Sequence, residues 1–182
     1  REDIAGSIAH ARMLPGLKNG FLRTASGAAA MAITMGLLTA EANAQFICQQ
    51  YGGTGAGATA GSLSVACGTD AAATGVGSMA FGYEAIGAGN YSSALGYFAS
   101  ASASNASAFG ANAKAEQGNA TAAGNAAEAR EVDSTAIGST AKATQINTTA
   151  VGAGARAEGV NASAIGSSAA STGDFSTAVG RS

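Results

Sequence analysis

A glycine recurs at every fourteenth residue along most of this chain: Gly68, Gly82, Gly96, Gly110, Gly124, Gly138, Gly152, Gly166 and Gly180. Two places before each stands an alanine, from Ala66 to Ala178, and a variable residue separates the pair. A period this regular specifies a stack of near-identical short units, each completing its core only against its neighbours. Such a scaffold of small residues suits display better than catalysis.

Numbered from its alanine, one unit runs from Ala150 to Ser163. Column two is apolar throughout: Cys67, Phe81, Leu95, Phe109, Ala123, Ile137, Val151, Ile165 and Val179. Its bulky members, Phe81, Leu95, Phe109, Ile137, Val151, Ile165 and Val179, are expected to form the repeat core, with a thin spot at Ala123. Column six is alanine from Ala71 to Ala169, and column eight is small in every copy. Columns seven and nine carry Lys114, Glu128, Lys142 and Arg156, and Glu116, Arg130 and Glu158. Small-inward alternating with charged-outward is the period-two pattern of a half-buried strand, whereas a helix needs apolar spacings of three and four. Each unit therefore reads as one flattened coil of two short strands and two turns. The recurring glycine falls where the backbone bends or meets a neighbour too closely for a Cβ.

Stacking places residue i beside i+14, so Lys114, Glu128 and Lys142 form a sign-alternating ladder, as do Glu116 and Arg130. Lys142 beside Arg156 breaks it. Column one is uniformly alanine and column two apolar, and adjacent strand residues face opposite sides. One face is then covered by the coil interior and the other by a second chain, which suggests a homo-oligomer.

The first 44 residues follow a different logic. Lys18 and Arg23 precede an uncharged run from Thr24 to Ala40, and Ala42-Asn43-Ala44 supplies a small-x-small cleavage pattern. With Met13 as initiator, residues 13–44 form a secretory signal peptide and residues 1–12 an upstream segment. The run is short and rich in Ala and Gly for a permanent membrane span. Residues 45–65, glycine-rich and out of period, are expected to cap the open end of the repeats, which occupy 66–182. In an oxidising compartment Cys48 and Cys67 can pair; the other reading is two small buried hydrophobes.

The segments crossing the repeat boundaries are Asp133-Ser134-Thr135-Ala136-Ile137-Gly138, Asn147-Thr148-Thr149-Ala150-Val151-Gly152 and Asn161-Ala162-Ser163-Ala164-Ile165-Gly166. They resemble the head repeats of trimeric autotransporter adhesins, the YadA-like surface proteins of Gram-negative bacteria, and the resemblance covers about residues 66–182. It implies an all-β fold, a left-handed parallel β-roll, with three chains packed into the head of a surface fibre. It also implies a homotrimer at the cell surface that attaches to host extracellular matrix or cell-surface proteins, to abiotic surfaces or to other cells. The chain stops at Ser182 without the family's coiled-coil stalk or barrel strands, so membrane anchoring is expected only through a C-terminal region absent from it.

Other functions find little support. The one histidine, His10, precedes the expected cleavage site, which leaves the mature part without imidazole for a base or metal ligand. No cofactor, no metal and no catalytic residue are assigned, and the chain reads as a non-enzyme. A formal charge of −2 with scattered cations argues against nucleic acid. The four Asn-x-Ser/Thr matches at Asn105, Asn119, Asn147 and Asn161 recur because the repeat recurs, and asparagine suits a turn. An ice-binding solenoid is the alternative, since column fourteen offers Thr121, Thr135, Thr149, Ser163 and Thr177, but the second threonine row of a paired array is missing. A purely structural solenoid is the other. The binding candidate is aromatic: Tyr83 and Tyr97 share column four in adjacent coils, with Tyr91 and Phe98 close in sequence.

Overall fold

The computed structural model describes residues 46–48 and 57–181, all within one compact unit. The proposed upstream segment and signal peptide lie outside the described residues. Among those residues there is no helix, and the strands are two or three residues long. The longer set comprises β1 (Phe46–Cys48), β3 (Val65–Cys67), β5 (Met79–Phe81), β7 (Ser93–Leu95), β9 (Ser107–Phe109), β11 (Thr121–Ala123), β13 (Thr135–Ile137), β15 (Thr149–Val151), β17 (Ser163–Ile165) and β19 (Thr177–Val179). The shorter set comprises β2 (Thr59–Ala60), β4 (Ala72–Ala73), β6 (Ile86–Gly87), β8 (Ser100–Ala101), β10 (Lys114–Ala115), β12 (Glu128–Ala129), β14 (Lys142–Ala143), β16 (Arg156–Ala157) and β18 (Ala170–Ser171). Odd strands stack into a ten-stranded sheet and even strands into a nine-stranded one. Each strand pairs in parallel with its counterpart one coil away, so the chain is a parallel β-solenoid of fourteen-residue coils, as its period requires.

Four columns point inward: one, six, eight and thirteen. Every column-one alanine from Ala66 to Ala164 is fully buried, as are nearly all those of columns six and eight. Column thirteen adds Ser64, Ser78, Ser92, Ser134 and Thr148. Their hydroxyls mostly close the turn three residues back, as Ser78 Oγ does to the Gly75 carbonyl at 2.8 Å and Thr148 Oγ1 to that of Gln145 at 2.6 Å. A buried hydroxyl needs such a partner, and among the described residues Ser92 Oγ is the buried side-chain atom without one.

The expected repeat core is corrected here. Phe81, Leu95, Phe109, Ile137, Val151, Ile165 and Val179 stand on the outer face of the ten-stranded sheet, and Ile137 is 42% exposed. The reason is parity. In a three-residue strand whose central alanine points in, both flanking residues must point out. The interior between the two sheets is filled by methyl and hydroxymethyl groups, with the outward ladder carrying the bulk. Ala123 consequently thins the outer ladder and not the core.

A parity test follows. Ala136 sits between Ala122 and Ala150 in the inner column, so Ala136→Leu overpacks the core and destabilises the roll by about 1–3 kcal/mol. Ile137→Ala, one residue along, removes as many carbons from the outer face as Ala136→Leu adds inside, yet in the dissociated chain it is expected to change stability by no more than about 1 kcal/mol. Chemical denaturation at low protein concentration reads both.

Two corners bend each coil, seven residues apart. Columns five and twelve have left-handed backbone in every described coil that reaches them, with φ between 49° and 68°, and glycine occupies only Gly154 and Gly77. Asparagine and aspartate adopt this region at least strain, and column twelve uses Asn105, Asn119, Asp133, Asn147 and Asn161. The amides also stack: Asn105 Nδ2 donates to Asn119 Oδ1 at 3.2 Å, and Asn119 Nδ2 to Asp133 Oδ1 at 2.9 Å.

Column-three glycines have φ of 124–142°. A Cβ on Gly138 would lie 2.5 Å from the carbonyl oxygen of Gly152 in the next coil. Both the conformation and the close approach exclude a side chain.

Before Val65 the sequence leaves the period but the ladder continues. Thr59 pairs with Ala72, thirteen residues on, and Phe46 pairs with Val65, nineteen on. The extra residues fall between Cys48 and Thr59. Strand β1 is the terminal strand of its sheet, and its Cys48 is the register partner of Cys67. Cys67 is disulfide-bonded.

Candidate functional site

With alanine filling the interior, every chemically distinctive side chain of the roll is on its surface. Three features stand out. Each is built by stacking, because a side chain in one coil meets its counterpart fourteen residues away.

The first is the apolar ladder of column two. Phe81, Leu95, Phe109, Ile137 and Ile165 are each more than a third exposed, and they lie in consecutive or nearly consecutive strands of the ten-stranded sheet. Column fourteen flanks the ladder on the same face with Met79, Ser93, Ser107, Thr121, Thr135, Thr149, Ser163 and Thr177. A continuous apolar stripe on an isolated chain marks an interaction surface. It also separates this face from an ice-binding array, since the threonine row is paired with Phe, Leu, Ile and Val.

The second is aromatic. The rings of Tyr83 and Tyr97 stack with centroids 5.3 Å apart and planes 17° from parallel. Phe98 meets both edge-on, at 5.5 Å from Tyr83 and 4.4 Å from Tyr97. These are favourable offset-stacked and T-shaped geometries, and all three rings remain accessible. Phe98 is at a left-handed corner, φ 54°, which swings its ring back over the column-four pair. Glu84, at the equivalent corner one coil earlier, hydrogen-bonds the Tyr83 phenol; that bond and the carboxylate's charge raise the phenol above its usual value. Tyr91 does not join the cluster. It occupies the other corner of the coil, 67% exposed, with its ring lying over Gly77. Sequence proximity had grouped it with the others; the two-corner geometry separates them.

The third is the charged face of the nine-stranded sheet. The register places Lys114 beside Glu128, Glu128 beside Lys142 and Lys142 beside Arg156. Lys142 reaches Glu128 across the ladder at 3.5 Å. Arg130 turns to Glu128 at 2.5 Å and Arg156 to Glu158 at 2.5 Å, each within its own coil. Among the described residues no ion pair joins Glu116 to Arg130. These exposed pairs contribute roughly 0–1 kcal/mol each. Nor do any His, Cys, Asp or Glu side chains among the described residues cluster in a way that would hold a metal.

Comparison with known proteins agrees with this architecture. The family model described as "YadA head domain repeat (2 copies)" matches residues 60–85, 88–113, 101–127, 129–155 and 157–182. No curated protein matches the sequence. A similar solved structure is the collagen-binding domain of the Yersinia adhesin YadA, with a TM-score of 0.46 and 25% sequence identity, covering 65% of this chain. The chain spans 59% of that structure's length. The repeat matches cover well over half of the sequence, and the chain belongs to the YadA head-repeat family, the head repeats of trimeric autotransporter adhesins.

Proposed function

We propose that this chain is the head of a homotrimeric adhesin, exported by a Gram-negative bacterium and displayed at its surface, which attaches to host matrix, to abiotic surfaces or to other cells. The observation that carries the reading is the outward apolar ladder of column two. One chain alone leaves this stripe in water, and a second and third copy cover it along its whole length. Family membership supplies the adhesive class, and fold and family alike are those of an adhesin. In this reading residues 13–44 direct export, a C-terminal region beyond this sequence anchors the fibre, and a Cys48–Cys67 bridge clamps the N-terminal end of the roll in an oxidising compartment.

Attachment is assigned to the ring cluster of Tyr83, Tyr97 and Phe98, with Tyr91 a separate exposed ring. Clustered aromatics dominate contact surfaces because they bury large area at low entropic loss. A trimer presents the cluster three times, and linked weak sites gain about 10²–10⁴ in avidity over one.

The test is adhesion to immobilised matrix proteins, with collagen as the first probe because a similar solved structure is a collagen-binding domain. Tyr83→Ser with Tyr97→Ser is expected to reduce retention at least tenfold while circular dichroism stays that of the parent. Unchanged retention would remove the ring cluster from the adhesive surface. A native chain that binds none of the matrix, abiotic or cell surfaces would leave the structural solenoid as the better reading.

A further inference from the structure

The like-charge step in the column-seven ladder is the point at which the solenoid's electrostatics depart from its own rule. Lys142 and Arg156 are register partners in adjacent parallel strands, about 4.8 Å apart in the hydrogen-bonding direction. Like charges directly opposite each other destabilise a sheet. Elsewhere along the column a glutamate separates the cations.

A cleft of about 310 Å³ opens at this step, lined by Thr140, Lys142, Gly154 and Arg156. Gly154 makes it possible. The corner position it occupies holds a side chain in every other described coil from Asp70 to Ser168. A Cβ there would stand 3.6 Å from Ser168 Oγ and 4.0 Å from Thr140 Oγ1. Without one, the space between two neighbouring hydroxyls stays open beside two cations. Thr140 Oγ1 donates to the Ser139 carbonyl at 2.7 Å and serves as a wall.

The cations are anchored, not neutralised. Lys142, Arg130 and Arg156 share the two carboxylates of Glu128 and Glu158, three cations to two anions within the ion-paired group. Glu158 accepts both Nε and Nη2 of Arg156 on a single oxygen, Oε1, and so holds the guanidinium in place. Lys114, Arg130, Lys142 and Arg156 place one cation in each of four successive coils, with Glu116, Glu128 and Glu158 between them on the same face.

We propose that the cleft at Lys142, Gly154 and Arg156 binds a sulfate group of a linear sulfated polysaccharide, with the cations of the neighbouring coils engaging the rest of that chain. The Lys142 ammonium and the Arg156 guanidinium that line the cleft supply charge-assisted donors for the oxygens of a sulfate ester. Cations in successive coils favour an extended polymer over a single small anion, and the attraction falls with added salt. This site lies on the opposite sheet from the apolar ladder and does not depend on the aromatic cluster.

The experiment measures binding of the whole chain to heparin, with dextran and a carboxylate-only polysaccharide, hyaluronan, as comparisons, at low and physiological salt. The native chain is expected to bind heparin, in a salt-dependent manner, at least tenfold more tightly than hyaluronan and not to bind dextran. Lys142→Gln with Arg156→Gln is expected to weaken heparin binding about tenfold or more, since two charge-assisted contacts are lost. Gly154→Asn keeps the charge, suits the left-handed corner as Asn112 does, and fills the cleft; it is expected to weaken binding several-fold. Arg181→Glu removes the same two units of net charge outside these four coils and should change binding less than twofold. Equal loss in that charge-matched control would overturn the proposal, as would unaltered binding in both cleft variants. Failure of the native chain to bind heparin, or equal binding of hyaluronan, would overturn it too.

Discussion

Gly138→Ala is expected to destabilise the solenoid by about 3–5 kcal/mol, combining a backbone conformation that side chains avoid with a steric clash. For a chain of this length that lowers the thermal midpoint by roughly 6–20 °C. The substitution adds one methyl group to a glycine at φ 128°, and that methyl meets the carbonyl oxygen of Gly152, itself backbone and unable to rotate away. To accept it the two coils must separate, and the ladder bonds on either side, such as Gly138 N to Ala123 O at 2.7 Å and Gly152 N to Ile137 O at 2.7 Å, stretch with them. Because each coil is stabilised only by its neighbours, a separation in mid-stack divides the molecule into two shorter and weaker rolls. Gly180→Ala is the internal control. It has a similar φ of 127° but no heavy atom within 4 Å of its Cβ position, and it belongs to the last coil, so the expected loss is well under half as large. Thermal denaturation followed by circular dichroism distinguishes the two. Equal losses would show that conformation alone, and not the packing of coil on coil, demands glycine in this column.

Ile137→Asp is the second large effect, and it is read in mass, not in melting. The side chain points away from the alanine core, so an isolated coil tolerates the change. In the proposed trimer three aspartates would be brought together and desolvated, at a penalty of several kcal/mol for each uncompensated charge. Sedimentation equilibrium is expected to show the native chain at three times the monomer mass and the variant at the monomer mass, with superimposable β-type spectra. Ser102→Asp, exposed on the nine-stranded side, should leave the trimer intact. A native chain that stays monomeric up to high concentration, or an Ile137→Asp variant that remains trimeric, would remove the ladder from the subunit interface.

Particular residues show how much of this was readable from the sequence. The period, the strand columns, the inward alanines of columns six and eight and the glycine column all follow from side-chain size and alternation. Whether column one or column two faces inward does not. Parity says that Ala136 and Ile137 point to opposite sides, but only the separation of the two sheets decides which, and that separation is a property of the closed coil. Bulk was the misleading cue, because in a roll this thin the large residues are forced outside. The corner at column twelve was signalled by its asparagines. The corner at column five was hidden, because Asp70, Glu84, Phe98, Ala126 and Thr140 share no chemistry although they share a backbone conformation. That hidden corner is what brings Phe98 onto Tyr83 and Tyr97 and leaves Tyr91 apart. The cleft at Gly154 needed the same information: the sequence shows Lys142 beside Arg156, but not the missing side chain between Thr140 and Ser168.

The unit of register also acts as a unit of length. Since every described pairing from Val65 onward joins residues fourteen apart, gaining or losing one whole coil leaves each remaining side chain on its original face and shifts the two ends by about 4.8 Å. The ring cluster and the Lys142 cleft are three coils apart, so their spacing along the axis changes only in steps of that size. A lineage carrying such a head can therefore adjust its reach, and the distance between its contact points, by duplicating or deleting a fourteen-codon block. Insertions that are not a whole number of coils break this register unless the ladder resumes beyond them, as it does across the nineteen-residue spacing of Phe46 and Val65.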